Sequence, residues 1–446
     1  MPVPKPLHHS PYLPYDEGVQ MYNTAWGHLT PWEFSDWKAE TLSWKEGVYF
    51  HAGLNPNLRN VITGPDALRM FKETCINSFE KFSVGASKHG VMCNDCGNTM
   101  ADGLIWRTGE EEYVNMGHGP YVDYLAQSGR YDIKVDNRDG KTFLFQIAGP
   151  HSLAVMEALT GESLRDIEFF WHRPSAVPQE AWLKRDIKVR IYCVGVARTL
   201  AYEVHGEIDD AEAVYEAILK AGEPYGIKRL GLQAYGMNHT EGGFAQSFIH
   251  FLHAWTEDQA FMDYIGDQYS SILEVLPGSA GDDITKRYAN PYELGLGQMV
   301  KFDHDFTGRS ALEAVAASNH RRIVTLEWDD TDVLAVQAAQ FSPKSRVQSM
   351  DPVTNQVWQG YMSRTFCDDV LVGDRIVGMS SGRMMSHYYG KMISLAIVDA
   401  DVAAQGSVME VLWGDPGTDQ MRISARSSRF PYIDLPHNNN IDVHSI

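Results

Sequence analysis

Lys188-Val189-Arg190-Ile191-Tyr192-Cys193-Val194, followed by Ala201-Tyr202-Glu203-Val204 and then by the run from Asp209-Asp210 to Gly222, decides the fold class. Polar and apolar residues alternate through Lys188 to Val194, which predicts a strand, because successive strand side chains point to opposite faces. Asp209 and Asp210 offer carboxylates to cap a helix, Val214 and Ile218 fall four apart on its apolar face, and Gly222 ends it. Strands and helices mix in this way from about Val61 onward, so the fold class is α+β. No short-period repeat occurs, and no Gly-rich phosphate loop follows a strand, so a nucleotide fold has no support.

Outward from this centre the texture changes at both ends. Beyond a polar stretch at Ser342–Gly360, short strands sit between turns, as in Asp374-Arg375-Ile376-Val377-Gly378, Met392–Val398 and Val408–Trp413. This predicts a separate all-β module, with domains at 1–330 and 331–446. Toward the N-terminus, Tyr12, Tyr15, Tyr22, Trp26, Trp32, Phe34, Trp37 and Trp44 follow no single period. Such an arm staples itself across a surface, or some of its rings line a pocket for a flat ligand.

The 446 residues, 44% of them apolar, are enough for two or three packed domains. A formal charge of −20 repels nucleic acid and anionic membranes, so neither is an expected partner. A local cluster of cations can still hold an anionic cofactor within about a Debye length of ~8–10 Å. Five cysteines, an odd number, argue for a reducing compartment over a disulfide framework. Met1-Pro2-Val3-Pro4-Lys5-Pro6 lacks an apolar signal core, so the expected location is the cytoplasm.

Cys93-Asn94-Asp95-Cys96 has the spacing of a metal knuckle or redox pair, yet no second pair follows it, and no metal is expected. His250 and His253 have no carboxylate at a telling distance in sequence and read as packed or exposed. Neither a G-x-S-x-G elbow nor HExxH is present, so hydrolysis lacks its usual motifs. Two carboxylates stand in otherwise apolar strands: Asp102 in Met100-Ala101-Asp102-Gly103-Leu104-Ile105, and Glu203. Each must be paired or must titrate, because unpaired burial of a charge costs several kcal/mol. Either a structural or a chemical role satisfies that requirement.

The ordered set Ile62-Thr63-Gly64-Pro65-Asp66-Ala67, Ile76-Asn77, Asp102-Gly103, Tyr113-Val114 and Gln146-Ile147-Ala148-Gly149-Pro150-His151 resembles the tetrahydrofolate-dependent aminomethyltransferases and their demethylase relatives. Asn290-Pro291-Tyr292-Glu293-Leu294-Gly295-Leu296-Gly297, Val300-Lys301-Phe302-Asp303, Phe306-Thr307-Gly308-Arg309-Ser310-Ala311-Leu312, Gly373–Gly378 and Ser381-Gly382 continue the likeness. The resemblance implies two interleaved α+β subdomains in a disc-like folate-binding region, closed by a C-terminal antiparallel β-barrel. Ala234-Tyr235-Gly236-Met237-Asn238-His239-Thr240-Glu241-Gly242-Gly243 resembles the branch that demethylates aryl ethers.

By that resemblance, Glu203 grips the pterin of tetrahydrofolate, since a carboxylate accepts two parallel hydrogen bonds from it. Asp102 stands near the reacting N5, and Tyr235 protonates the departing phenol, whose pKa of about 10 matches its own. The segment His51-Ala52-Gly53-Leu54-Asn55 departs from the D-x-S-H-M of the glycine-cleavage enzyme, so His51 is expected on an altered substrate wall. Gly117-His118 stands where methoxybenzoate demethylases carry Gly-Arg. His118 is therefore a candidate substrate contact, with ordinary packing equally open. A neutral donor needs no arginine there. The favoured donor is a methylenedioxyphenyl compound of the sesamin-like lignan type, giving a catechol and 5,10-methylenetetrahydrofolate. The alternatives are O-demethylation of methoxylated aromatics, aminomethyl transfer from an amine, and folate binding without transfer.

Overall fold

The computed structural model describes residues 8–25, 27–180, 183, 185–266, 273, 275–359 and 362–446. Met1–Pro6, Trp26 and Gly360, which entered the sequence reading, lie outside the described residues. The alternating run becomes the strand Ile187–Cys193, which pairs antiparallel with His172–Val177 and Ala201–Glu207. Thr142–Ala148 and Tyr49–His51 extend this sheet antiparallel, and the two-residue strand Lys228–Arg229 adds a parallel edge, making six strands. After Tyr49–His51 the chain leaves to build a second, five-stranded antiparallel sheet: Ser87–Cys93, Thr99–Arg107, Glu112–Met116, Arg59–Thr63 and Lys134–Asn137 in spatial order. It then returns to the first sheet at Thr142. This excursion is the interleaving of two α+β units.

The third part is a closed antiparallel barrel of six strands, in the order Arg322–Trp328, Lys391–Val398, Arg375–Ser386, Cys367–Val372, Val408–Trp413 and Met421–Ser428. Closure satisfies every sheet edge, and Val324, Leu326, Trp328, Val370, Val411 and Ile423 fill its core. The first barrel strand, Arg322–Trp328, lies ahead of the expected 330/331 boundary and pairs with both Lys391–Val398 and Met421–Ser428.

The helix Ala211–Gly222 forms as expected, with Val214 and Ile218 buried, but its ends differ from the sequence reading. A short turn Ile208–Asp210 precedes it, and no side chain caps it; Asp210 instead accepts from Arg185 at 2.7 Å. Gly222 lies inside the helix at φ −86°, and the left-handed glycine that stops the chain is Gly226. Gly222 is small because Ile227 folds back over it, 2.6 Å from where a Cβ would stand.

The aromatic arm packs across the surface. Met21–Ala25 and His28–Glu33 form a two-stranded ribbon, Trp32 packs on Leu232 and Ile249, and Trp44 packs on Tyr49. Tyr12, Tyr15, Tyr22, Trp32, Phe34, Trp37 and Trp44 all lie outside the wall of the central cavity. Cys93 is buried while Cys96 is exposed, so the two sulfurs occupy different environments at a turn organised by Asn94. Among the described residues, no helix is long and apolar enough to cross a membrane.

Candidate active site

The helix Leu232–Gly242 is buried on every face. The strand His28–Glu33, the helix Trp37–Glu46 and the barrel strand Arg375–Ser386 enclose it, which explains why its sequence has no polar stripe. Polar residues fasten it instead. Glu40 accepts from the Gly231 N–H at 2.7 Å before the first turn. In the last turn Lys45 pairs with Glu241 at 2.6 Å, both side chains 1% exposed, and the Ser386 hydroxyl donates to Glu241 at 2.5 Å. Gly236 leaves room for the side chain of Gln356, whose Oε1 lies 1.8 Å from where a Cβ would stand. The helix is thereby a rigid mount for Tyr235.

Tyr235 lies flat on His51, ring centroids 4.1 Å apart and planes 1° from parallel. His51 donates from Nδ1 to the Leu230 carbonyl at 2.8 Å, so its ring cannot rotate, and burial holds its pKa down at about 3. Burial and the neighbouring Glu203 push the Tyr235 hydroxyl well above its ordinary value. It therefore keeps its proton across the neutral range.

Glu203 sits directly across from Gln146 in the six-stranded sheet. The Tyr49 hydroxyl donates to Gln146 Oε1 at 2.5 Å, which turns the amide NH2 toward Glu203, 3.4 Å away. On the other side Arg59 donates to His205 Nδ1, so the neutral His205 ring donates from Nε2 to Glu203 at 2.9 Å. Burial is the largest influence on the Glu203 carboxyl and pushes it up to about 8, against the Gln146 hydrogen bond and the Arg59 charge.

Asp102 is gripped from two sides, by His89 Nε2 at 3.1 Å and His253 Nε2 at 2.9 Å. Burial opposes its ionisation, but those hydrogen bonds and charges outweigh the penalty and hold the carboxyl far below the usual range. His253 is thus the partner of Asp102, correcting its reading as an unpaired histidine; 151 residues separate the pair. His250 is a packed residue, meeting the Thr240 hydroxyl at 3.0 Å and accepting from Gln246 N at 3.0 Å.

Tyr235, Glu203 and Asp102 share one cavity of about 880 Å³. Its wall draws on both sheets, the Leu232–Gly242 helix and the segment after the barrel. Leu58, Leu104, Phe169, Phe244, Leu296 and Phe430 give much of the wall an apolar character. His118 and His51 do not reach it. The His118 ring is wedged behind the strand: Nε2 donates to the Gly90 carbonyl at 3.0 Å, and Nδ1 lies 2.7 Å from where a Cβ on Gly103 would stand. Both histidines, expected on the substrate wall, thus pack one layer behind it: His118 against the Asp102 strand and His51 against the Tyr235 ring. Residues that the sequence reading gave no role are Gln146, His205, Arg59, His89 and His253. Of these only His205, two residues from Glu203 and so on the same strand face, carried a local signal.

Two interleaved α+β units surround a cavity lined by buried carboxylates and a tyrosine, with a barrel behind. A family model described as the GCVT N-terminal domain matches residues 16–250. Sesamin methylene transferase of Sinomonas sp. is 39% identical over 443 residues, covering 97% of this chain and 96% of that enzyme. Syringate O-demethylase of Sphingobium sp. is 30% identical over 409 residues, covering 86% and 84%. The crystal structure of glycine cleavage system aminomethyltransferase T from Bartonella henselae has a TM-score of 0.66 over 94% of this chain and 96% of that one, at 13% identity, a likeness of fold. The chain belongs to the GCVT family, and it is an enzyme of the tetrahydrofolate-dependent one-carbon transferases.

Proposed function

We propose that the enzyme cleaves an aryl ether C–O bond and passes the one-carbon unit to tetrahydrofolate, with a neutral methylenedioxyphenyl donor. The observation that carries the reading is that Glu203, Asp102 and Tyr235, which lie far apart in sequence, share one cavity wall. The cavity suits a pterin. Glu203 faces it with a carboxylate whose protein hydrogen bonds to Gln146 and His205 leave acceptor capacity free, the requirement for two parallel N–H donors. When bound, tetrahydrofolate supplies the nucleophilic nitrogen that takes the carbon.

The protein's own residues do the remaining work. Glu203 fixes the pterin edge, and the rigid Tyr49–Gln146 and Arg59–His205 supports fix Glu203. Asp102, anionic between two imidazoles, stabilises positive charge as it develops beside it. Tyr235 gives its proton to the first aryl oxygen to depart; the second C–O bond of a methylenedioxy donor would break with a proton displaced from the accepting nitrogens, and the apolar wall excludes water throughout. The same geometry serves a methoxylated donor, and the names of the two relatives span both chemistries.

The test is to incubate the enzyme with tetrahydrofolate and a panel of neutral and carboxylated aryl ethers, including a methylenedioxyphenyl lignan, and identify both products by mass spectrometry. A catechol with 5,10-methylenetetrahydrofolate supports methylene transfer. A simple phenol with 5-methyltetrahydrofolate assigns O-demethylation instead. Absence of folate-dependent ether turnover refutes both.

A further inference from the structure

Arg198 lies in the loop between the strands Ile187–Cys193 and Ala201–Glu207 and is half-buried in the cavity wall. It is the one Lys or Arg in that wall among the described residues. Arg59, behind Glu203, is committed: it donates to His205 and to the Met116 sulfur. Arg198, by contrast, donates no hydrogen bond and forms no ion pair among the described residues, and burial disfavours its charge. Its backbone is held at φ 56°, a left-handed conformation that residues other than Gly, Asn and Asp rarely adopt. Backbone strain of this kind persists where the surroundings impose it, and it clusters at ligand sites.

The chain beyond the barrel returns to this loop. Asn438 donates to the Ala201 carbonyl at 3.4 Å, and Arg165 donates to the Ile446 carbonyl at 2.5 Å. His437, Asn439 and Asn440 thereby join Arg198 in the cavity wall. An unpaired cation with neutral polar neighbours, in a protein of net charge −20, is a local reversal of the molecular field. It matches a ligand carrying a carboxylate, which a guanidinium binds through paired N–H donors.

We propose that Arg198, with His437 and Asn439 beside it, forms a carboxylate-binding subsite of this cavity. On the functional reading above, on which this inference rests, the carboxylate belongs to the glutamate tail of tetrahydrofolate; an acidic aryl donor offers the same chemistry. The competing role is structural. The Arg198 stem passes Gly242, its Cγ 3.6 Å from where a Cβ there would stand, so the guanidinium could instead balance the carbonyls at that helix end.

Arg198→Asn separates the roles, because Asn tolerates the left-handed backbone. Calorimetric titration would compare wild type and R198N with tetrahydrofolate and with 6-methyltetrahydropterin, which lacks the glutamate. Turnover of a neutral and a carboxylated aryl ether would run in parallel, with Tm as the fold control. The expected result is a tetrahydrofolate Kd weakened about tenfold to a hundredfold, an unchanged methyltetrahydropterin Kd, and an unchanged or higher Tm. A loss confined to the KM of the carboxylated ether keeps the subsite and assigns it to the donor. Equal weakening of both pterins, a lowered Tm with otherwise unchanged binding, or no change in any arm overturns the proposal. Wild-type protein that ignores tetrahydrofolate refutes the transfer reading instead, and the carboxylated ether then decides the fate of Arg198 by its binding alone.

Discussion

Tetrahydrofolate binding is expected to tighten steeply as pH rises from 6 to 8. The cause is Glu203, whose carboxyl burial pushes up to about 8 from an ordinary 4.5. A pterin edge presents N–H donors, so only the ionised carboxylate can accept both of them. At pH 6, two units below the pKa, roughly 1% of the protein is ionised, and the apparent Kd lies roughly a hundredfold above its plateau; at pH 7 the factor is roughly ten. The sign follows from the direction of the shift: the folded site disfavours the anion, the ligand restores it, and about one proton leaves per ligand bound below pH 8. Calorimetry in two buffers of different ionisation enthalpy measures affinity and proton release together. Glu203→Gln should remove the pH dependence and weaken binding at pH 9. An affinity flat from pH 6 to 8, with no proton released, refutes this account of Glu203.

Tyr235→Phe retains the ring that stacks on His51 but loses the proton, so single-turnover ether cleavage should fall about 10²- to 10⁴-fold with tetrahydrofolate affinity unchanged; a change under about threefold removes Tyr235 from acid catalysis. Lys45→Met leaves Glu241 buried without its cation and should cost about 3–5 kcal/mol in urea denaturation, while the double change with Glu241→Leu recovers most of that loss. Asp102→Asn points an amide NH2 at one of two imidazole N–H groups and should lower Tm. Because the folded Asp102 carboxyl is held far below its unfolded value, its stabilisation is present at neutral pH and fades as pH falls below ~3.9, so acid titration of stability should be shallower in D102N.

Local pattern carried much of this molecule. Alternation from Lys188 to Val194 specified a strand, and the spacing of Val214 and Ile218 specified a helix face. The helix ends were less legible, since Asp210 had two uses for its carboxylate and Arg185, distant in sequence, claimed it. The first barrel strand, Arg322–Trp328, was not legible as part of the barrel, because its partners lie about sixty to a hundred residues further on, where no window of local sequence reaches.

The sequence by itself determined the α+β class and the all-β module, and its short motifs singled out Asp102, Glu203 and Tyr235 as candidates. The tertiary structure alone decided what those side chains are. It brought His89 and His253 onto Asp102 and set Arg59 and His205 behind Glu203. It also withdrew His51 and His118 from the cavity wall and placed Arg198 in it without a partner among the described residues. Protonation depends on burial and on which neighbours donate, and both are set by contacts between residues far apart in the chain.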